Sequence, residues 1–397
     1  MAIGVKLYRT ENMKIKSFKF SSEKQHWHID EIFFDDLNLL VGVSGVGKTR
    51  ILRALDLICD VAKDRIAKDR TQKLDDVEWT INFSHLGKNY MWELKTSNSI
   101  NEAFSIEPGQ AEILYEKITE IIDNNKTIIL QRDKNESKWS HGDLPKLKRT
   151  ESLITLLEEE DSIAPIAEAF KRFIFNEVPQ RGLLTIRFDP RDLTLSSNSN
   201  SQAHKLIDIK KFKESSVDTP PVLKAYFLQQ YFPEVFEEIK EYYYGIFPNI
   251  QDIRITVRKE SINEYYLLFE IKENGVDNWI SQQLMSSGMY RTLTFLVEIL
   301  AAPNESVIVI DEFENSLGIN CMPDLTEFIL DKSSELQFIL TSHHPYIINN
   351  IPWKTWQVVS RIDSRIRSTK ARNIPELDTA SSLDKFTQLI DFLADED

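Results

Sequence analysis

Three short stretches of this 397-residue chain carry residue types whose spacing could do chemistry. The first is Gly42, Val43, Ser44, Gly45, Val46, Gly47, Lys48 and Thr49, which read G-V-S-G-V-G-K-T. This is the G-x-x-x-x-G-K-[ST] spacing of a phosphate-binding loop. Small residues let backbone N–H groups turn inward towards phosphate oxygens, and a helix starting there adds its positive end. Lys48 would reach the β- and γ-phosphates, the Thr49 hydroxyl would ligand Mg²⁺, and Arg50 opens the helix beside them. The chain has only 12 Gly, so three in one loop do not reflect a glycine-rich background. The plain alternative is a strand-to-helix turn with a surface lysine.

The second stretch, Val307–Glu312, reads V-I-V-I-D-E. Four β-branched apolar residues suit a fully buried parallel strand, and its acids would stand at the carboxyl end, where α/β sheets bind ligands. Asp311 would hold Mg²⁺ directly or through water; Glu312 would orient and activate an attacking water. Two adjacent carboxylates repel phosphate unless a metal and a lysine neutralise them, and the first stretch supplies both. Phe338–Thr341 is another buried run, and His343 just after it could hydrogen-bond a γ-phosphate. In the third stretch, Gln283–Arg291, residues Ser286, Ser287 and Gly288 precede the apolar helical run Thr292–Leu300. That places them at a helix N-terminus, a second anion site. An N-K-x-D base-reading motif is missing; Asn125–Ile128 is N-K-T-I.

The elements that must position these residues follow from periodicity. Leu37–Val41 predicts a buried strand, and Ile51, Leu52, Leu55, Ile58 and Cys59 place one apolar face on a helix over 50–62. Met13–Phe20 and Trp27–Phe34 predict a strand pair leading into the loop. Val77–Phe83 and Tyr90–Leu94 predict strands turned at Gly87, Lys88 and Asn89. From Ile113 to Ile250 the pattern reads as mostly helical, notably Ile154–Leu157, Ile163–Phe175 and Leu223–Tyr244. The Ser/Asn-rich Leu195–Ala203 reads as a loop. Ile253–Lys259 and Tyr265–Lys272 predict a hairpin. No heptad run or internal repeat occurs. Three parts result: 1–100 with the loop, a helical insertion over 101–250, and 251–397.

Hydrophobic residues make up 42% and charged residues 28%, as in ordinary globular proteins. The net charge of −14 argues against a broad nucleic-acid-coating surface. Cys59 and Cys321 lie in apolar runs and read as buried thiols of a reducing compartment. No signal peptide or 18-residue apolar span is seen, so a cytoplasmic protein without a membrane segment is expected.

Together these stretches resemble the ABC-class ATPases of the SMC, RecF and OLD group, most closely its compact bacterial members, many of them in phage-defence or abortive-infection systems. Gly42–Thr49 is similar to the Walker A loop and Ile308–Glu312 to Walker B. Leu284–Met289 resembles the signature loop, with Ser286 and Gly288 in matching places. Glu314–Leu317 resembles the D-loop, and Thr341–Pro345 the histidine switch, with His343 at its histidine. Departures exist: Gly318 and Ile319 stand where Leu-His-Pro is common, Ser287 replaces Gly, and Met289 replaces a polar residue. Gln131 and Arg187–Pro190 are the candidates for the Q-loop.

The resemblance implies an α/β P-loop NTPase of ABC type, with a mixed sheet, an antiparallel β lobe and an inserted helical lobe. It implies ATP and Mg²⁺, and two chains sandwiching two nucleotides, Ser286 of one chain completing the site of the other. It also implies a dimeric switch acting on a separate effector such as a nuclease, with the helical middle as a docking or sensing lobe. The roughly fifty residues after His343 are too few for a fused nuclease. A DNA-repair clamp is the alternative. Its best feature is Arg361–Arg372, with five basic residues and one acid; Lys146–Arg149 and Lys210–Lys213 are weaker. A third reading is a scaffold that binds ATP without hydrolysing it.

Overall fold

The computed structural model describes residues 13–65, 74–97, 111–177, 181–186, 208–261 and 264–378, apart from 124, 135, 141, 143 and 145, together with 385, 387–390 and 393. The predicted loop Leu195–Ala203 and the candidate Arg187–Pro190 lie outside the described residues. Two compact units emerge: Met1–Phe175, Glu305–Phe313 and Lys332–Asp397 in the first, Asn176–Asn304 and Glu314–Asp331 in the second.

The first unit is built on a 13-stranded mixed sheet. Across it run Ser137–Trp139, Asn125–Arg132, Ile113–Ile122, Lys88–Thr96, Val77–His85, Lys14–Ser22, Trp27–Phe33, Arg365–Lys370, Trp356–Ile362, Leu37–Val41, Gln337–Thr341, Val307–Ile310 and Phe173–Asn176. Leu37–Val41, Val307–Ile310 and Gln337–Thr341 are buried at every position and pair in parallel. This is what continuous apolar runs do when both faces of a sheet are covered. The register puts Ile339 between Val309 and Asn38, so the strands end together at the functional loops. The exceptions to apolarity are satisfied. Gln337 bonds the Ile15 backbone as a strand neighbour would, through N–H at 2.8 Å and C=O at 2.9 Å, and the Asn38 amide donates to Asp35 O and Phe338 O.

The antiparallel side alternates, as hairpin strands with one covered face must. Its aromatic layer stacks Phe20, Trp79, Trp92 and Phe170 in sequence, with centroids 6.3, 5.4 and 5.4 Å apart. The expected helical character of Ile113–Trp139 is overturned: Ile113–Ile122, Asn125–Arg132 and Ser137–Trp139 are strands. In I-L-Y-E-K-I-T-E-I-I, apolar residues fall at both 2- and 3–4-residue spacing, and pairing with Lys88–Thr96 decides for the sheet. Beneath it Glu116 is fully buried, held by Arg132 at 2.8 Å and Ser152 at 2.6 Å. Likewise the helix predicted over 163–175 stops at Lys171, and Phe173–Asn176 becomes the sheet's far edge strand.

The second unit holds a smaller antiparallel sheet of Leu184–Ile186, Glu264–Glu273 and Ile250–Ser261, with Ile280–Ser281 on the middle strand. Helices Ile209–Ser215, Pro221–Tyr231, Pro233–Ile246, Ser287–Leu300 and most of Met322–Lys332 accompany it. Pro233 splits the predicted Leu223–Tyr244 helix in two, since proline cannot donate within a helix but fits its first turn. Lys224 is buried and ion-paired with Glu298 at 2.7 Å.

Candidate nucleotide site

The loop after Leu37–Val41 turns into helix Lys48–Ala62 through Gly47, which sits at φ 105°. An added Cβ there would lie 2.4 Å from Ile366 Cδ1, so both the left-handed turn and the space demand glycine. The helix buries Ile51, Leu52, Leu55 and Ile58, each contributing about 1.5–3 kcal/mol of burial, and this fixes where its N-terminus points. No side chain caps that terminus, leaving its first N–H groups to an anion. Lys48 is buried and donates to Gly42 O at 2.7 Å and Val43 O at 2.9 Å, curled over its own loop. Ser44, Gly45, Thr49 and Arg50 are exposed around it.

The acidic strand meets the loop as predicted. Thr49 Oγ1 lies 3.2 Å from Asp311 Oδ1, so hydroxyl and carboxylate oxygens converge in the donor set a hard divalent cation takes. Thr341 ties the acids together: its hydroxyl donates to Asp311 Oδ1 at 2.8 Å and accepts from Glu312 N at 2.7 Å. Glu312 is exposed and has φ 48°, a left-handed backbone that costs a non-glycine residue on the order of 1–3 kcal/mol. The Thr341 hydroxyl, the bond from Phe313 N to Thr341 O at 3.0 Å and the fully buried Phe313 ring hold that conformation. Thr341 is the residue the sequence reading underrated. The signal was a hydroxyl ending an otherwise apolar core strand.

Two histidines follow. His344 Nδ1 accepts from Tyr346 N at 3.2 Å and caps the short helix Pro345–Asn350, whereas His343 is exposed at the strand's end. A pocket of about 280 Å³, which the sequence reading did not foresee, runs on from Thr49 and Arg50 along the helix. Trp27 and Gln25 line it, and the Arg50 guanidinium lies 5.7 Å from the Trp27 ring centre.

In the second unit, helix Ser287–Leu300 begins at Ser286, whose hydroxyl accepts from Met289 N at 3.2 Å. Ser286 and Ser287 are exposed; Gly288 is buried because the backbone of Gly318 crosses it, 3.0 Å from where a Cβ would be. Signature-like and D-loop-like segments therefore pack on one another. Beside them Leu284 and Ile319 are 78% and 81% exposed, the two most exposed large apolar side chains among the described residues.

Other candidates fare differently. Gln131 lies in strand Asn125–Arg132 opposite Lys117 and Lys138, on the antiparallel side of the sheet away from Leu37–Val41, and is no Q-loop residue. The basic run Arg361–Arg372 spans the end of strand Trp356–Ile362 and strand Arg365–Lys370, where Arg365 and Arg367 bind Asp30, and Lys370 and Arg372 bind Asp35. Its charge is largely matched within the fold.

The loop, the acidic strand and the histidine segment all fall within residues 37–349, which match the family model described as "AAA domain, putative AbiEii toxin, Type IV TA system". The chain belongs to this family. The family is described as one of AAA domains. No curated protein matches it. Several solved structures are similar in fold. An SMC head from Thermotoga maritima has 12% identity and TM-score 0.41, covering 90% of this chain and 98% of that one. An SMC head bound to the C-terminal domain of ScpA, from Pyrococcus furiosus, has 12% identity and TM-score 0.46, covering 96% and 100%. An SmcHead bound to the C-winged helix domain of ScpA has 14% identity and TM-score 0.44, covering 89% and 96%. No helix among the described residues is long and apolar enough to cross a membrane.

Proposed function

We propose that this chain hydrolyses ATP and works as a nucleotide-dependent dimeric switch on a separate effector. The supporting observation is the hydrogen-bonded chain Thr49–Asp311–Thr341–Glu312 beside the buried Lys48. The loop N–H groups and Lys48 bind the β- and γ-phosphates, and Lys48 leaves its two backbone carbonyls to do so. Thr49 and Asp311 hold Mg²⁺, which when bound neutralises charge on the phosphate oxygens. Glu312 orients a water and accepts its proton as the oxygen attacks the γ-phosphorus and the β–γ bond breaks. His343 donates to the γ-phosphate, and the pocket at Trp27 and Arg50 takes the base.

Ser286 and the helix it caps complete the site of a second copy. The exposure of Leu284 and Ile319 supports this: side chains left bare beside the anion-binding helix end are covered when two copies close. ATP then links the subunits and hydrolysis releases them. We place the switch in a defence or toxin–antitoxin setting on the family description, and assign it a nuclease-type effector on the resemblance of its motifs. Glu312→Gln tests the proposal. The variant should bind ATP, lose turnover and accumulate as a dimer by light scattering with ATP and Mg²⁺; turnover equal to wild type would remove Glu312 from the chemistry, and ATP binding with no turnover in the wild type and no change in size in the variant would point to the structural scaffold instead.

A further inference from the structure

The second unit carries a groove of about 710 Å³ between helices Pro233–Ile246, Ser287–Leu300 and Met322–Lys332, well away in the chain from the loop residues of the nucleotide site. Its floor is apolar: Tyr242 packs edge-on against Phe328 with centroids 4.8 Å apart, with Leu296, Leu325 and Ile246 around them. Its walls are acidic. Glu238 and Glu241 stand on one helix at i and i+3; Asp324, Glu327 and Asp331 stand on another at i, i+3 and i+7. Among the described residues no lysine or arginine lines it. Lys240, the one cation of its helix, turns instead to Glu237 and Asp252, at 2.9 Å each.

We infer that this groove docks a cationic amphipathic helix of a partner protein. Charge complementarity and shape name the occupant together. Two walls carrying carboxylates at helical spacing match lysines or arginines repeating every three to four residues. The methylene stems of those side chains would lie on the Tyr242 and Phe328 rings while their heads reach the carboxylates. A nucleic acid is rejected by the same charges, and a purely apolar segment would bring no cation to Glu241, Asp324 and Glu327. The inference concerns where a partner binds and does not depend on ATP hydrolysis.

The test uses the full chain without nucleotide and a fluorescent 18-residue peptide of leucines with lysines at i, i+3, i+4 and i+7, followed by anisotropy. Unlabelled oligolysine and a glutamate-for-lysine version of the peptide serve as controls. We expect saturable binding that Glu241→Lys with Glu327→Lys weakens at least about tenfold, and that Tyr242→Ala weakens at constant charge. The double variant, left with Glu238, Asp324 and Asp331 against two lysines, should bind neither the lysine nor the glutamate peptide tightly. Both glutamates are exposed, so ATPase activity and melting temperature of the variant report that it remains folded. Equal binding to wild type and double variant overturns the inference. So does oligolysine competing as well as the helical peptide, which would reduce the groove to a diffuse acidic surface.

Discussion

The G-x-x-x-x-G-K-T loop and the signature-like loop both lead into helix N-termini, yet they are finished to different degrees. At Gly42–Thr49 a buried lysine, a threonine hydroxyl and the Asp311 carboxylate converge within one unit, and Thr341 bonds both that carboxylate and the Glu312 backbone. At Ser286–Gly288 a capped helix opens to solvent, flanked by the bare Leu284 and Ile319. On the proposed function, the first site binds nucleotide with its own residues. The second has helix dipole and hydroxyls but no lysine, metal ligand or base pocket among its described residues. The difference teaches that the chain carries one nearly complete site and one complementary part, which fits a protein that reacts only when a second copy supplies the missing face.

Substitutions separate the two regions. The largest effect should come from Lys48→Ala, which removes the one buried ammonium of the loop; fluorescent-nucleotide titration should show binding weakened on the order of 100-fold or more. Thr341→Val should come next. It deletes the bonds that hold Asp311 and the left-handed Glu312, and single-turnover kinetics should show hydrolysis reduced by about 10- to 100-fold while ATP still binds. In the other region, Leu284→Ser with Ile319→Ser should loosen the ATP-dependent dimer by about tenfold in sedimentation. Melting should change little, because exposed side chains usually contribute within about 0.5 kcal/mol. A melting loss instead would mean these residues are packed within their own unit.

The last prediction concerns the frame of the first unit and pH instead of nucleotide. His85 is buried, and among the described residues neither ring nitrogen has a hydrogen-bond partner. Burial first, then the Arg172 charge, push it down to about 4. The unfolded chain, with His85 near its ordinary 6.5, binds the proton more readily. Stability from this residue is therefore full above about 6.5 and is lost as pH falls towards 4. Over that window the loss is roughly 2–3 kcal/mol. His85→Leu should flatten the fall in melting temperature between pH 7 and 5; an unaltered slope would place the acid sensitivity elsewhere.

The parts legible in sequence were those set by short-range rules. G-x-x-x-x-G-K-T fixes a loop, V-I-V-I-D-E fixes a strand with acids at its end, and Ser286 ahead of an apolar run fixes a cap; each stands where the spacing put it. What was illegible depended on tertiary partners. Ile113–Ile122 became a strand because Lys88–Thr96 offered an edge, not because its own periodicity excluded a helix. Thr341 reads as one more strand residue until Asp311 and Glu312 arrive on the neighbouring strand. The charge of Arg361–Arg372 is visible in sequence, but its neutralisation by Asp30 and Asp35, more than 300 residues earlier, is not.

The central claim is that each nucleotide is shared between two chains, and mixing two inactive variants tests it most directly. Lys48→Ala disables the loop. Ser286→Asp keeps a helix-capping carboxylate but sets a negative charge where a partner's γ-phosphate must come. Each alone should be inactive. Mixed one to one, half the dimers regain one intact site, so ATPase activity should return to about a quarter of wild type. Activity that stays at the level of the separate variants, or Ser286→Asp protein that hydrolyses ATP normally by itself, would contradict the account.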